Sequence, residues 1–251
     1  MCPGHILRNA FKRRDVRVNG SRSGEEATVS GGDRLSVYID ERYLTAPARI
    51  LYEDGQILAL EKSQGLPVDV DADSIGEDTL LSRARAQFPD ALLCHRLDTG
   101  TGGVTLLALT SDAYSILTEA FKNHRIEKTY RCLVAGRPAR PEGELTHYLQ
   151  KDADTARVRE VRANQPGAVR ATLRYRVVER RGEVTLVEID LGTGRTHQIR
   201  AQMAAIGCPV VGDDKYGDRV ANKRLHASSP ALWCVSLRLP DGRAFESNAE
   251  F

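Results

Sequence analysis

Apolar and polar residues alternate cleanly through VRATLRYRV, residues 169–177. Val169, Ala171, Leu173, Tyr175 and Val177 fall on one side and basic residues on the other, the period-two mark of a half-buried strand. VTLVEIDL (184–191) follows as its expected antiparallel neighbour, while GVTLLALT (103–110) is apolar throughout, as a strand covered on both faces should be. IEKTYRCLVAG (126–136) reads as a further strand. Hairpin turns are predicted at Asp54-Gly55 within ILYEDGQILALEK, at Asp241-Gly242 within WCVSLRLPDGRAFES and at Asn19-Gly20 after VRV, with GDRLSVYI returning as a strand. Helical period appears in four places: HILRNAFKRR (5–14), DTLLSRARAQF (78–88), DAYSILTEAFKNHR (112–125) and RTHQIRAQMAAIG (195–207). In the third, Ser111 is the expected cap and Ile116, Leu117, Ala120 and Phe121 the expected buried face. In the fourth, Ile199, Met203 and Ile206 point inward and Gly207 with Pro209 ends the helix. Strands outnumber helices, which predicts an α+β architecture: a mixed, largely antiparallel central sheet flanked by helices, with a small N-terminal α/β appendage.

At 251 residues the chain suits one domain with a minor attachment, and 41% hydrophobic with 28% charged residues excludes disordered, fibrous and membrane-embedded classes. We expect residues 1–43 to form the attachment and 44–251 the main unit. The net charge is only +2, but residues 1–24 hold Arg8, Lys12, Arg13, Arg14, Arg17 and Arg22 against the single acid Asp15, either a solvated basic helix face or a footing for a polyanion. The five cysteines are scattered and never spaced CxxC, so they are expected as reduced thiols and not as a disulfide framework or zinc knuckle. His95, His197, His226 and Cys94 lack metal-ligand spacing. With no apolar h-region at the N-terminus and no membrane-length apolar run, the expected location is the cytoplasm.

Two segments offer chemistry. CHRLDTGTGG (94–103) sets one carboxylate, Asp98, between a basic dipeptide and three glycines at the mouth of a buried strand. Gly100, Gly102 and Gly103 would let a substrate backbone approach; the plainer alternative is a turn in which Asp98 bonds only its own backbone. GTGRTHQIR (192–200) lacks the third glycine of a dinucleotide loop. It is a loop opening a helix, where backbone N–H groups and Arg195 suit a phosphate, and Arg200, off the Ile199/Met203 stripe, is placed to turn back toward an acid.

HRLDTGTGG, EKTYRCLVAG and GTGRTHQIRAQMAAIGCPVVGDDKYG, in this order, together with KRLHA, resemble the RluA-type pseudouridine synthases over roughly residues 50–251. LRNAFKRRDVRVNGSR followed by GGDRLSVYI resembles the back portion of the S-four-like RNA-binding module, without its customary first helix. The resemblance implies the pseudouridine synthase fold and an isomerase that modifies RNA in rRNA or tRNA processing, with no metal or organic cofactor and no obligate protein partner, as a monomer. It makes Asp98 the essential aspartate, Tyr130 the tyrosine that stacks on the target base and is a candidate for moving the C5 proton, and Arg200 the basic partner of the aspartate. Arg96, Arg195, Thr196, His197, Lys12, Arg13, Arg14 and Arg17 become RNA contacts, and Ile199 with Leu97 line the substrate pocket. The family carries a serine where this chain has Gly102, which implies a looser loop here.

Turning uridine into pseudouridine breaks the N1–C1′ bond, turns the uracil over and joins C5 to C1′ without redox chemistry. One carboxylate at the sugar face serves as nucleophile at C1′ or as base at C2′, and the residues do not choose between these. Either role needs an ionised acid in a dry site, and a cation within ~4–6 Å lowers an aspartate pKa by ~1–3 units, the part given to Arg200. Flipping the nucleotide costs a few kcal/mol, and stacking on Tyr130 would return ~1–3 kcal/mol. A catalytically inactive RNA-binding or assembly factor on the same fold is the alternative; a glycosidase would need a second placed carboxylate and a serine hydrolase a G-x-S-x-G elbow, and neither is seen.

Overall fold

The computed structural model describes residues 16–24, 26–37, 48–69, 78–152, 157–249 and 251. The basic helix expected over 5–14, with Lys12, Arg13 and Arg14, and the expected boundary at 43–44 lie outside them.

Asn19 and Gly20 take positive φ (49° and 83°), as a tight hairpin turn requires, and join β1 (Val16–Val18) to β2 (Ser21–Arg22). With β3 (Leu35–Val37) on the other side of β1 they form a three-stranded sheet, and Arg17 lies in its central strand. Asn19 ties the turn down: its amide donates to Asp33 and accepts from the Arg34 N–H.

The main sheet starts with β4 (Arg49–Glu53) and β5 (Ile57–Lys62), turning at Asp54-Gly55 as expected. It continues through β6 (Leu92–Leu93), β7 (Gly102–Ala108), β8 (Glu127–Ala135), β9 (Glu142–Lys151), β10 (Val158–Val161), β11 (Val169–Arg181) and β12 (Val184–Leu191). The last hairpin, β13 (Leu232–Arg238) and β14 (Ala244–Glu246), closes at Asp241-Gly242. The spatial order is β10-β9-β11-β12-β8-β13-β7-β5-β4, with β6 added to β7 and β14 to β13. Every pairing is antiparallel except β13 with β7, so the sheet is mixed and largely antiparallel as predicted. Strands β9 and β10 are additions to the pattern read from sequence; in β9 (EGELTHYLQK) only Leu149 is fully buried, too little apolar alternation to announce a strand.

Why β5 and β7 are apolar on successive residues is now plain: both faces are covered. Leu58, Leu60 and Leu107 pack on α1 (Leu80–Arg85), while Ile57, Ala59, Leu106 and Ala108 face α2 (Ser111–Lys122). The cap of α2 is Thr110, whose hydroxyl accepts from the Ala113 N–H, one residue before the expected Ser111. Its buried stripe is Ala113, Leu117 and Ala120, and Ile116 is 66% exposed, one position round the helix from the face assigned by sequence. Helix α3 (Gln198–Ala205) lies on the same side as α2, against β9 and β10, and α4 (Arg219–Arg224) follows. Among the described residues no helix is long and apolar enough to cross a membrane.

Candidate active site

A cleft of about 1090 Å³ opens where the 94–101 loop, the start of α3 and β8 converge. Asp98 sits in its wall with the side chain 29% exposed. The loop is held at its start through His95: the Leu106 N–H donates to His95 Nε2 (2.9 Å), and the His95 ring stacks on Phe121 at 4.3 Å between centroids. Burial lowers the His95 pKa to about 3, so this ring is a neutral brace. Within the loop the Thr101 N–H bonds the backbone carbonyl of Asp98, and among the described residues no backbone N–H takes its carboxylate. The acid therefore faces the cleft and does not serve its own turn.

The three glycines have a different purpose from the one expected. A side chain at Gly102 would occupy the ring of Trp233, one at Gly103 (φ 110°) would strike the Cys234 backbone, and one at Gly100 would press on Pro230. What approaches is the protein's own β13, forming its parallel pairing with β7 at Gly102 and Gly103, and not a substrate. Trp233 also fills the space a serine would need at Gly102, so this position is a buried strand residue and not a loosened loop.

Arg200 meets Asp98 as predicted: its Nη1 lies 3.5 Å from Asp98 Oδ2. A second acid, missed in the sequence, fixes the guanidinium. Asp213 is fully buried and accepts from Arg200 Nε (2.6 Å) and Nη2 (2.9 Å), a two-point grip that leaves Nη1 for Asp98. Asp213 Oδ1 also accepts the Lys215 and Tyr216 N–H groups, and the Tyr216 ring lies 5.1 Å from the Arg200 Cζ. Burial works against charge on both partners, yet their hydrogen bonding outweighs it: the Arg200 pKa stands above its ordinary value and that of Asp213 below. Only the segment GDDKYG signalled this pair, and no spacing rule ties an acid 13 residues downstream to a helix arginine.

Tyr130 projects from β8 between Ile189 and Cys234 on the neighbouring strands and lines the cleft. Burial first, then Cys234, raises its pKa well above the usual tyrosine value, so the phenol is protonated in the free protein. Leu97 and Ile199 are buried beside it and border the same recess. Lys62, also missed in the sequence, is fully buried beneath the loop; its ammonium donates to the carbonyls of Leu66 (2.7 Å), Ser63 (3.1 Å) and Thr99 (3.2 Å), the last of them next to Asp98. Burial pulls its pKa to about 7 against the opposing effect of Asp98.

Arg96, Arg195 and Thr196 are exposed on the rim of the cleft, where Lys122 and Lys151 join them, while Lys128 lines the cleft from a buried position. His197 is drawn inward: its Nδ1 is 2.8 Å from the Tyr216 hydroxyl and its Nε2 is 3.8 Å from Asp98. The 192–197 loop folds onto the Gln198 side chain, which accepts from Thr193 Oγ1 and the Arg195 N–H and donates to the Thr172 carbonyl. That use of the Arg195 N–H removes one of the backbone donors expected for a phosphate.

Residues 56–205 match the model of the RNA pseudouridylate synthase family. The chain belongs to that family. Asp98, Tyr130 and Arg200 lie inside the matched span, and Asp213 and Tyr216 beyond it. The chain is 33% identical over 248 residues to the ribosomal large subunit pseudouridine synthase C of Escherichia coli (strain K12), covering 92% of this chain and 76% of that one. To the protein of the same name from Rickettsia felis it is 27% identical over 235 residues, covering 85% and 77%. Among solved structures, the human RNA pseudouridylate synthase domain containing 1 superimposes with a TM-score of 0.68 at 26% identity, over 81% of this chain and 83% of that one. These findings bear out the RluA-type resemblance, the pseudouridine synthase fold and an RNA pseudouridine synthase activity.

Proposed function

We propose that this enzyme isomerises one uridine in structured ribosomal RNA, with Asp98 as the group that acts at the ribose. The observation that carries this reading is the Asp98 carboxylate 3.5 Å from a guanidinium that Asp213 grips at two points, in a cleft shared with Tyr130. Arg200 supplies positive charge to the carboxylate without becoming free to leave it. Tyr130 gives the displaced uracil an aromatic platform, and any part it takes in moving the C5 proton starts from the neutral phenol. Leu97 and Ile199 keep water from the sugar face, where it would capture the opened intermediate. Asp98 acts there either as nucleophile at C1′ or as base at C2′. The names of the relatives favour large-subunit ribosomal RNA over transfer RNA as the substrate. Residues 1–43 serve as an added basic foothold for the RNA, with 44–251 as the catalytic unit and no further protein partner.

The test is to incubate the protein and its Asp98→Asn variant with unmodified large-subunit rRNA and with tRNA, then map pseudouridine by carbodiimide-blocked reverse transcription. Stops on rRNA with the wild type alone are expected. Equal stops with both proteins would remove Asp98 from the chemistry, and RNA binding with no stops on either RNA would support the assembly-factor reading.

A further inference from the structure

His197 precedes α3 in the left-handed conformation (φ 51°), which a non-glycine residue adopts only at a steric cost. It caps no backbone group with its side chain, so the strained geometry does not serve the helix. What it does is turn the ring into the cleft. There Nε2 points at Asp98 Oδ2 from 3.8 Å, three residues before Arg200, whose Nη1 reaches the same oxygen from 3.5 Å.

The proton on this ring is assigned by its neighbours. The Tyr216 hydroxyl accepts the Val158 N–H at 2.7 Å and lies 2.8 Å from His197 Nδ1, and among the described residues no third partner is within its reach. An oxygen already accepting one N–H, with a single hydrogen of its own, bonds both neighbours most fully by donating to Nδ1. A neutral imidazole that accepts at Nδ1 carries its hydrogen on Nε2. We propose that His197 is a positioning residue for Asp98: the Tyr216 hydroxyl, anchored by Val158, fixes the tautomer whose Nε2–H holds the carboxylate alongside Arg200. Asp98 then faces donors from two points one helical turn apart, which sets the rotation of its carboxyl group.

The charged groups around the ring oppose one another: Asp98 and Asp213 favour its protonation, Arg200 and Lys215 disfavour it. Asp98 faces it from the loop, Arg200 from its own helix, and Asp213 and Lys215 from the following segment, with Arg157 over the far side of the Tyr216 ring at 5.4 Å. Burial dominates and lowers the His197 pKa below 6.5, so at neutral pH the ring keeps a single proton.

The role rests on the proposed part of Asp98, whereas the tautomer does not, and the experiment separates them. In the full chain labelled with ¹⁵N-histidine, long-range ¹H–¹⁵N correlation, with His197 assigned by its loss in His197→Gln, should show an unprotonated Nδ1 and a protonated Nε2. Tyr216→Phe should convert this to a mixture. In turnover of the RNA substrate, His197→Ala and His197→Asn should lower kcat about tenfold or more at unchanged KM. His197→Gln, whose amide N–H overlies Nε2, should recover most of the loss. A wild-type ring unprotonated at Nε2 would overturn the proposal whether or not the RNA is modified. So would equal losses in the Gln and Asn variants, or full turnover in His197→Ala.

Discussion

At the scale of single residues, the informative positions are those where the expected side chain is missing or an unexpected one is buried. Gly102 stands where the resemblance led us to expect serine, and Trp233 occupies that space, its indole N–H donating to Ser247 Oγ at 2.8 Å. The two residues are one packing solution, so Gly102→Ser should destabilise by about 1–3 kcal/mol through overpacking. In a Trp233→Leu background the same change should cost much less; equal thermal-shift losses in both backgrounds would break the coupling. Lys62 makes a prediction of another kind. Its folded pKa near 7 lies below the ordinary 10.5, so between these values the unfolded chain binds the proton and the folded one does not. Stability from this group therefore rises with pH across that window and is lost as pH falls toward 7. Denaturant titrations at pH 7 and 9 should show a smaller upward slope in Lys62→Met than in the wild type. The candidate acid and its arginine were legible in the sequence because glycine-flanked and helix-opening motifs mark them. Lys62 was not, since a lysine ending the apolar strand ILALEK reads as a solvent-facing end.

At the scale of elements, the site depends on α3 and on the segment that leaves it. Every residue of α3 from Gln198 to Met203 is buried, so the apolar stripe Ile199/Met203 described only part of its environment. The polar side chains between are bonded inside the protein: Gln198 to the Thr172 backbone, Gln202 to the Leu145 and Ala171 carbonyls, Arg200 to two acids. A periodicity argument sorts residues into wet and dry and has no class for a buried polar one with partners inside the protein, as Gln202 has through its Nε2 though not its Oε1. In α2 the amphipathic face was found but rotated: Ala113 replaces Ile116 beside Leu117 and Ala120 on the buried side. Asp213 binds the segment after α3 to Arg200, and its removal leaves a buried guanidinium with only a distant Asp98. Asp213→Ala should cost about 3–5 kcal/mol in denaturant unfolding. It should also lower kcat more than KM changes, because the Arg200 Nη1 is no longer aimed. Arg200→Lys should fail to restore either property, since an ammonium cannot grip Asp213 at two points and still face Asp98.

For the whole molecule, the near-neutral net charge conceals a separation between the two faces of the sheet. Along β8, Lys128 and Tyr130 face the cleft side while Arg131 faces away, by strand alternation. On the away side the cations are spent on neighbours: Arg131 and Arg176 both pair with Glu188 (2.9 and 2.6 Å), and Arg174 with Glu144 at 3.5 Å. Around the cleft, Arg96, Lys122, Lys128, Lys151 and Arg195 have no ion pair among the described residues. Total charge could not show this, because it counts a neutralised arginine and an available one alike; only strand register tells them apart. RNA affinity should therefore respond to salt through one set and not the other. In binding titrations of the Asp98→Asn protein at several salt concentrations, Lys122→Ala or Arg195→Ala should each reduce the slope of log K against log salt by about 1. Arg131→Ala, on the paired face, should leave it unchanged. Removing residues 1–43, with Lys12, Arg13, Arg14 and Arg17, should lower the slope further while the isolated catalytic unit still modifies its uridine. Equal slope changes for Arg131 and Arg195 would mean that the RNA covers both faces, and the cleft would then lose its claim to be where the strand is held.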